Sequence, residues 1–392
     1  MSKLSDLIQE LCPNGVETFP LDQVLKSLPK GTLKTNELVE NGRYPVINGG
    51  RDFYGYYDKF NNSGEVITFS SRGFAGYVQY MNDDFWAGGL CYPYTSADES
   101  ALLTKFAYYY LKNKESYIMQ NIVEHGSIPA LNKKDLHKVQ IFVPPLPVQR
   151  EIVRILDTFT ELTKELTKEL TLRKKQYEYY RDRLLTFDEA HPLRSMLNEL
   201  CPNGVEYKAL KECCSILDSQ RQPIKKSQRV KGRYPYYGAN GIQDYVDDYI
   251  FDGIFVLVGE DGSVMTSSGT PVVHWAEGKI WVNNHAHVIE ESEGVMLRYL
   301  YYCISMIDIR ELVHGNIPKL NQKDFRQLKI PIPPLAVQRE IVRILDKFEA
   351  LCHDLTAGLP AEIAARQKQY EYYRDKLLMF EEKQSRKINP RV

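Results

Sequence analysis

The feature that most constrains this chain is that it is written twice. The word ELCPNGVE begins at Glu10 and again at Glu199, an offset of 199 − 10 = 189 residues. HGSIPALNKKD from His125 answers HGNIPKLNQKD from His314 at the same offset, and PPLPVQREIVRILDTF from Pro144 answers PPLAVQREIVRILDKF from Pro333, identical at 14 of 16 positions. QYEYYRD from Gln176 returns at Gln369, 369 − 176 = 193 residues on, so the second copy has gained four residues between these words. A repeat this long must be built as two like units. Between the words the copies diverge: VITFSSRGFAGYVQYMNDDFWAGG stands roughly where FVLVGEDGSVMTSSGTPVVHWAEGKIWVNNHAHVI stands in the second copy.

Periodicity gives each copy the same plan. Over about 18–143 and 207–332, short β-branched and aromatic runs (Val66 to Phe69, Tyr77 to Tyr80, Phe255 to Val258, Ile280 to Val282, Val288 to Ile289) are broken by Gly, Asn, Asp and Pro. They predict a compact β-rich domain with many loops. Helices are expected around Leu102 to Met119 and Gly294 to Leu312. After each PP dipeptide the spacing turns helical. Ile155, Phe159, Leu162, Leu166, Leu170, Tyr177, Tyr180, Leu184 and Phe187 form a heptad seam with one stutter inside TELTKELTKELT. A helix from about Val148 to Phe187 would be ~60 Å long and needs a partner. The second copy, Val337 to Phe380, repeats the seam at Ile344, Phe348, Leu351 and Leu355 before Gly358-Leu359-Pro360 breaks or kinks it. The expected architecture is α+β: two β-rich domains joined by two long helices in an antiparallel coiled coil. The order is cyclic with a pseudo-two-fold, divided as 1–143, 144–190, 191–332 and 333–392.

Composition narrows the function. Lys plus Arg total 50 against 51 Asp plus Glu, so any anion-binding surface must come from local placement rather than bulk charge. Seven cysteines without a CxxC spacing suggest reduced thiols, and neither a secretory signal nor a membrane span is visible, which makes a cytoplasmic address the expectation. No GxxxxGK[ST] loop, methyltransferase motif or adenosyl-binding turn is present, so no catalysis and no cofactor are expected.

The shared words carry more than a seam requires. Gln149/Gln338, Arg150/Arg339, Glu151/Glu340, Arg154/Arg343, Asp157/Asp346, Glu178/Glu371, Arg181/Arg374 and Asp182/Asp375 are identical although the domain interiors have diverged. That pattern predicts a polar surface that docks one kind of partner twice. Together these words, the tetrapeptide repeat and the two variable domains make the chain similar to the specificity subunit of a type I restriction-modification enzyme, over nearly its whole length. The resemblance implies that each variable domain is a target-recognition domain reading one half of a split DNA site, and that the coiled coil fixes the gap. It also implies that two methyltransferase (modification) subunits bind the shared regions, with restriction motor-nuclease subunits joining through them. On that reading the partner-binding candidates are Gln149, Arg150, Arg154, Tyr179 and Arg181, with Gln338, Arg339, Arg343, Tyr372 and Arg374.

DNA-contact candidates follow from charge and loop position. In the second half, the acid-free segment RQPIKKSQRVKGRYPYY offers Arg221, Lys225, Lys226, Arg229, Lys231 and Arg233 to phosphates, with Tyr236 or Tyr237 alongside. In the first half Lys30, Lys34, Arg43, Arg51 and the turn Ser70-Ser71-Arg72-Gly73 take that part, with Arg72 the choice for a guanine edge. The matching turn, Gly259-Glu260-Asp261-Gly262-Ser263, places Glu260 or Asp261 to accept from a cytosine amino group. His285 and His287 suggest a metal pair on one strand face, but lack a third ligand nearby in sequence; a structural or DNA-facing role is favoured and no metal is expected. His125 and His314 are expected to hold the turn before the last strand by hydrogen bonding. Two rivals stay open: a single-chain methyltransferase or nuclease, and a coiled-coil adaptor whose end domains bind other ligands.

Overall fold

The computed structural model describes residues 2–354 and 356–383; Leu355, assigned above to the seam, lies outside them. Two compact units divide the chain: one joins the sequence up to Thr167 with the segment from Ile363 onward, and the other is Lys168–Glu362. The central helix, Leu146–Leu185, therefore contributes its first part to unit 1 and its remainder to unit 2.

Within each unit the strands follow one order. In unit 2 a six-stranded sheet runs Ser215–Ile216, Ala286–Glu290, Phe251–Gly259, Val273–Val282, Lys231–Gly238, Gly241–Val246. All its pairings are antiparallel except Tyr236 beside Trp281, which is parallel. Unit 1 has Leu25–Ser27, Cys91–Ser96, Val66–Ser70, Val78–Met81 as one sheet and Trp86–Ala87, Tyr44–Ile47, Gly55–Tyr57 as another, with Val46 parallel to Trp86. This is the six-strand order with one long strand interrupted at Asn82-Asp83-Asp84, residues poorly suited to a pleated ladder. Each domain closes by pairing its first strand with its last: Thr18–Pro20 with Gln140–Phe142, and Glu206–Ala209 with Lys329–Ile332.

The cores explain the duplicated apolar letters. Val148, Ile152 and Leu156 bury fully into the unit 1 domain with Ile67, Phe69 and Phe106, and Val337, Ile341 and Leu345 do so in unit 2 with Val256, Val258 and Tyr299. Each core also takes in the end of the other long helical segment, Leu377-Leu378 in unit 1 and Leu184-Leu185 in unit 2. Burying a Leu or Ile this fully contributes roughly 1.5–3 kcal/mol. Of the seam residues, Leu184 is buried, Tyr180 and Leu351 are exposed, and the other described ones stay half-buried. Phe159 stacks on Tyr373 in unit 1, with ring centroids 5.5 Å apart, and Tyr180 stacks on Phe348 in unit 2, also at 5.5 Å. Within unit 2, Tyr177 meets His353 and Tyr180 meets Phe348, so the central helix advances as its partner retreats, which is antiparallel order.

Several expectations need adjusting. The distal helix is two pieces, Leu335–His353 and Leu359–Leu377, and the Asp354 carboxylate caps the break by accepting from the Thr356 and Ala357 amides. The domain helix of unit 1 is likewise split, into Thr104–Asn113 and Glu115–Asn121, and that of unit 2 stops at Ile304. There the backbone tightens into short turns, Met306 N to Cys303 O and Ile307 N to Ile304 O, because Ile309 is drawn into the core and its amide bonds Gly269 O. Cyclic closure is direct in unit 1: Val16, in the first ELCPNGVE word, exchanges backbone bonds with Glu381 and Lys383 just past the last helix. The same word at Glu199 follows the central helix along the chain.

Candidate nucleic-acid interface

In unit 1 the strand Val66–Ser70 ends in the turn Ser70-Ser71-Arg72-Gly73. Gly73 has φ +75°, and a Cβ there would meet Gly49 O at 2.8 Å, so only glycine fits. Ser71 is buried, its hydroxyl donating to Leu90 O at 3.0 Å; it shapes the turn and cannot reach a base, contrary to its assignment above. Arg72 is exposed, its backbone bridged to Ala130. Exposed Arg51 lies over Phe74 at 4.7 Å, and Phe74 N bonds Gly49 O beside the turn. Lys30 donates to Gly89 O at 2.7 Å and sits over Tyr92, and burial lowers its pKa. Lys34 and Arg43 are exposed; Lys34 opens the short turn Thr35–Glu37 and Arg43 directly precedes the strand Tyr44–Ile47.

Unit 2 builds the equivalent position differently. Arg221 is not a phosphate contact: its side chain is 10% exposed and donates to Glu260 Oε2 at 2.6 Å, Ala286 O at 2.7 Å and Asp218 O at 3.0 Å. Nor can Glu260 read a base, because it is buried and also pairs with Lys319 at 3.4 Å. His287 Nδ1 bonds Asp218 at 2.7 Å while its ring stacks on Phe325 at 3.9 Å, and Asp218 also accepts from Val288 N and Gln322 Nε2. Buried charges persist when paired and hydrogen-bonded in this way. Asp218, Glu260 and His287 offer ligand atoms within 4.8 Å of one another, the third ligand that sequence spacing could not supply. Arg221 and Lys319 already bring positive charge to that cluster. His285 is not on the strand face with His287; it lies in the preceding turn and pairs with Asp261.

The rest of the basic segment divides. Arg229 is largely covered, 4.1 Å over buried Tyr236 and paired with Asp244 at 3.3 Å, so it braces the segment rather than a phosphate. Tyr237 is half-buried, its carbonyl accepting from Asn283 N. Lys225, Lys226, Lys231, Arg233 and Ser263 are exposed. Among the described residues no hydrogen bond reaches the imidazole of His125 or His314. The turns they open are held by backbone pairs, Glu124 with Ala130 and Val313 with Leu320.

The duplicated helix residues also separate by direction. Gln149 is fully buried, with Oε1 accepting from Leu103 N and Nε2 donating to Ala101 O and Pro144 O; Gln338 repeats this with Met296 N, Gly294 O and Pro333 O. These glutamines are not docking residues. They satisfy a domain-helix terminus that has no side-chain cap of its own, together with a proline carbonyl. Asp157 accepts from Lys105 and Tyr109, and Asp346 from Arg298 and Tyr302, so this pair pins each domain helix to its long helix. Asp157 and Asp346, identical in the two copies, serve the facing domain helix while remaining 38% and 44% exposed. Left outward are Arg150/Arg339, Arg154 and Arg343 on their Glu151 and Glu340 partners, and Tyr179 and Tyr372 at 61% and 60% exposure, whereas Arg181 and Arg374 are partly covered, over Tyr177 and Tyr370 and paired with Asp182 and Asp375.

A family model described as the type I restriction modification DNA specificity domain matches twice, over residues 13–172 and 202–365. The chain belongs to the type I restriction-modification DNA specificity family. It is 29% identical to the Escherichia coli EcoR124I/EcoR124II type I restriction enzyme specificity subunit, covering 97% of this chain and 98% of that one. It is 45% identical over 195 residues to a type I restriction enzyme specificity subunit of Haemophilus influenzae, a match that spans half of that protein. The fold is similar to that of a type I restriction-modification S subunit from M. genitalium, with a TM-score of 0.66 at 20% identity over 92% of this chain and 96% of that one. The two family matches coincide with the two copies of the repeat. No helix among the described residues is long and apolar enough to cross a membrane.

Proposed function

We propose that this specificity subunit reads a bipartite duplex site, one half with each variable domain. One observation carries the reading. In unit 1, Leu131 N bonds Ser71 O and Arg72 bridges Ala130; in unit 2, Leu320 N bonds Glu260 O and Asp261 bridges Lys319. Arg72 and Asp261 thus occupy one position of the same frame with opposite charge. An arginine there suits the two acceptors of a guanine edge, and an aspartate suits the amino donor of cytosine. Exposed Lys30, Lys34, Arg43 and Arg51 in unit 1, and Lys225, Lys226, Lys231 and Arg233 in unit 2, supply phosphate contacts.

In this proposal residues 1–143 and 191–332 are the recognition domains and 144–190 and 333–392 the shared helices. Arg150, Arg154, Tyr179 and Arg181, and again Arg339, Arg343, Tyr372 and Arg374, dock two methyltransferase subunits, through which restriction subunits join. The chain itself contributes recognition and spacing rather than catalysis. The tetrapeptide repeat acts as the ruler: along it, Thr160, Thr163 and Thr167 donate their hydroxyls to the carbonyls four residues back, so these polar groups are satisfied within the helix. One added unit extends the helix by ~6 Å, about one to two base pairs.

The test is to co-express the chain with the methyltransferase encoded beside it and map methylated adenines across the host genome. A split motif is expected; exchanging residues 18–143 should change one half alone, and inserting one TELT unit should lengthen only the gap. A stable complex that yields no motif would instead favour an adaptor whose end domains bind another ligand.

A further inference from the structure

The loops that brace the two variable turns share a property that folding does not require. In HGSIPAL and HGNIPKL the isoleucines Ile128 and Ile317 are 63% and 70% exposed. An apolar side chain left in water contributes little to stability, and most of the surrounding domain sequence has diverged between the copies. Both isoleucines nevertheless stand at the same place. Each precedes a proline, Pro129 or Pro318, which biases it toward extended backbone and so presents a stiff probe. In unit 2 the loop is tightened further by Gly315 at φ +97°.

Position and charge identify the occupant. Ala130, two residues beyond Ile128, bridges Arg72, and Lys319, two residues beyond Ile317, bridges Asp261. Gly262 N also bonds Pro318 O at 3.0 Å. The residue that differs in charge between the copies is thus bonded to a loop whose His, Gly, Ile, Pro and Leu recur in both. Such a loop is suited to what every target has in common, a stacked duplex between phosphates. The first word carries Lys133 and Lys134, and the second carries Lys323 beside Lys319, which is already paired with Glu260. Their acids are engaged locally, Asp135 by Lys138 and Asp324 by Asn321.

We propose that Ile128 and Ile317 are apolar wedges that enter the base stack of duplex DNA beside each half-site, held in register by the backbone bridges to Arg72 and Asp261. Partial unstacking by an inserted aliphatic side chain is an established means of bending DNA toward a protein surface. The inference rests on the bipartite DNA reading above, and it adds a contact indifferent to base identity.

The experiment uses the full chain in complex with its methyltransferase and duplexes carrying the mapped site, with 2-aminopurine placed in turn at each step within and beside each half. Binding of the unaltered complex should raise fluorescence at one step per half-site. Ile128→Ser should abolish the rise in the first half only and Ile317→Ser in the second only, each weakening binding roughly ten-fold, about 1.4 kcal/mol, without changing the methylated motif. Ile128→Leu and Ile317→Leu should keep both signals. Unchanged fluorescence and affinity in the serine variants, with the split motif intact, would overturn the wedge and leave the DNA reading standing. Loss of methyltransferase from the serine complexes would overturn it in favour of a protein contact. Absence of any split motif from the unaltered complex would defeat the DNA reading, and the wedge with it.

Discussion

The turn at Ser71-Arg72 and the turn at Glu260-Asp261 hang from the same loop by matching backbone bonds, yet they are stabilised by different chemistry. In unit 1 the inward residue is a serine, satisfied by one carbonyl. In unit 2 it is a glutamate, which requires Arg221, Lys319 and the Asp218–His287 pair around it. The difference teaches that the frame sets where a side chain points and leaves its polarity free. Once an ionised residue is taken inside, however, neighbouring cations are committed to it and are lost to DNA. That is why Arg221, basic in composition, is held by Glu260, and why the two halves of a duplicated chain need not share their contact residues.

This comparison can be broken most forcibly at Asp218. Asp218→Ala should destabilise unit 2 by about 3–5 kcal/mol, since it removes the carboxylate that holds buried His287, the Val288 amide and Gln322. Urea unfolding monitored by Trp275 and Trp281 in a Trp86→Phe background would report it, and a cost near zero would mean that the buried network is incidental. Next come the hydroxyls that pin the domain helices. Tyr302 donates toward both Asp346 and Glu349, whereas Tyr109 donates to Asp157 alone. Tyr302→Phe should therefore cost more than Tyr109→Phe, within the roughly 1.5–3 kcal/mol of a hydrogen bond to a charged group. Equal losses would remove that distinction between the units.

At the reading position, Arg72→Ala should weaken discrimination at one base of the first half-site by about 1–3 kcal/mol and leave the second half intact. Methylation mapping measures this directly, and an unaltered motif would dismiss Arg72. The smallest effect is that of acid. Burial alone would raise the Asp218 pKa, but the His287 hydrogen bond and charge, the Val288 amide and Arg221 together hold it below the usual carboxylate range. A depressed folded pKa contributes stability that is present above the unfolded value and disappears as pH falls through the folded one. Unit 2 fluorescence should therefore lose stability with acid through that window, and Asp218→Asn should flatten the dependence.

The sequence made the repeat, the α+β plan and the seam legible, because each is written in local spacing; it placed the distal-helix break at Gly358-Leu359-Pro360, whereas the first piece already ends at His353. It also located the matching turns, from the position of Ser71-Arg72 and Glu260-Asp261 between shared words. It did not reveal that Gln149 and Gln338 face inward. Both are polar and identical between copies, and that pattern is the same whether a side chain satisfies a buried helix terminus or an incoming partner. The signal that separates the cases is context: a glutamine three residues past a PPL run and at the foot of a domain helix lacking a capping side chain has orphan backbone groups to serve. Asp157 and Asp346 pose the same problem, and here only the tyrosine and cation of the facing helix decide it.

What the sequence determined by itself is the periodic part: two copies, two β-rich domains, long helices with an apolar stripe, and a tetrapeptide repeat inside one of them. Those follow from residue spacing along the backbone, which fixes which side chains share a face before any domain forms. What only the tertiary structure decided is which charged residues are spent. Arg221, Glu260, Asp218 and His287 lie up to 69 residues apart in sequence and meet because three strands and a turn bring them together. In a low-dielectric interior their attraction is strong enough to take them out of the pool available to solvent or DNA. Arg72, with the same letter as Arg221, stays exposed because the position behind it is a serine that needs no countercharge.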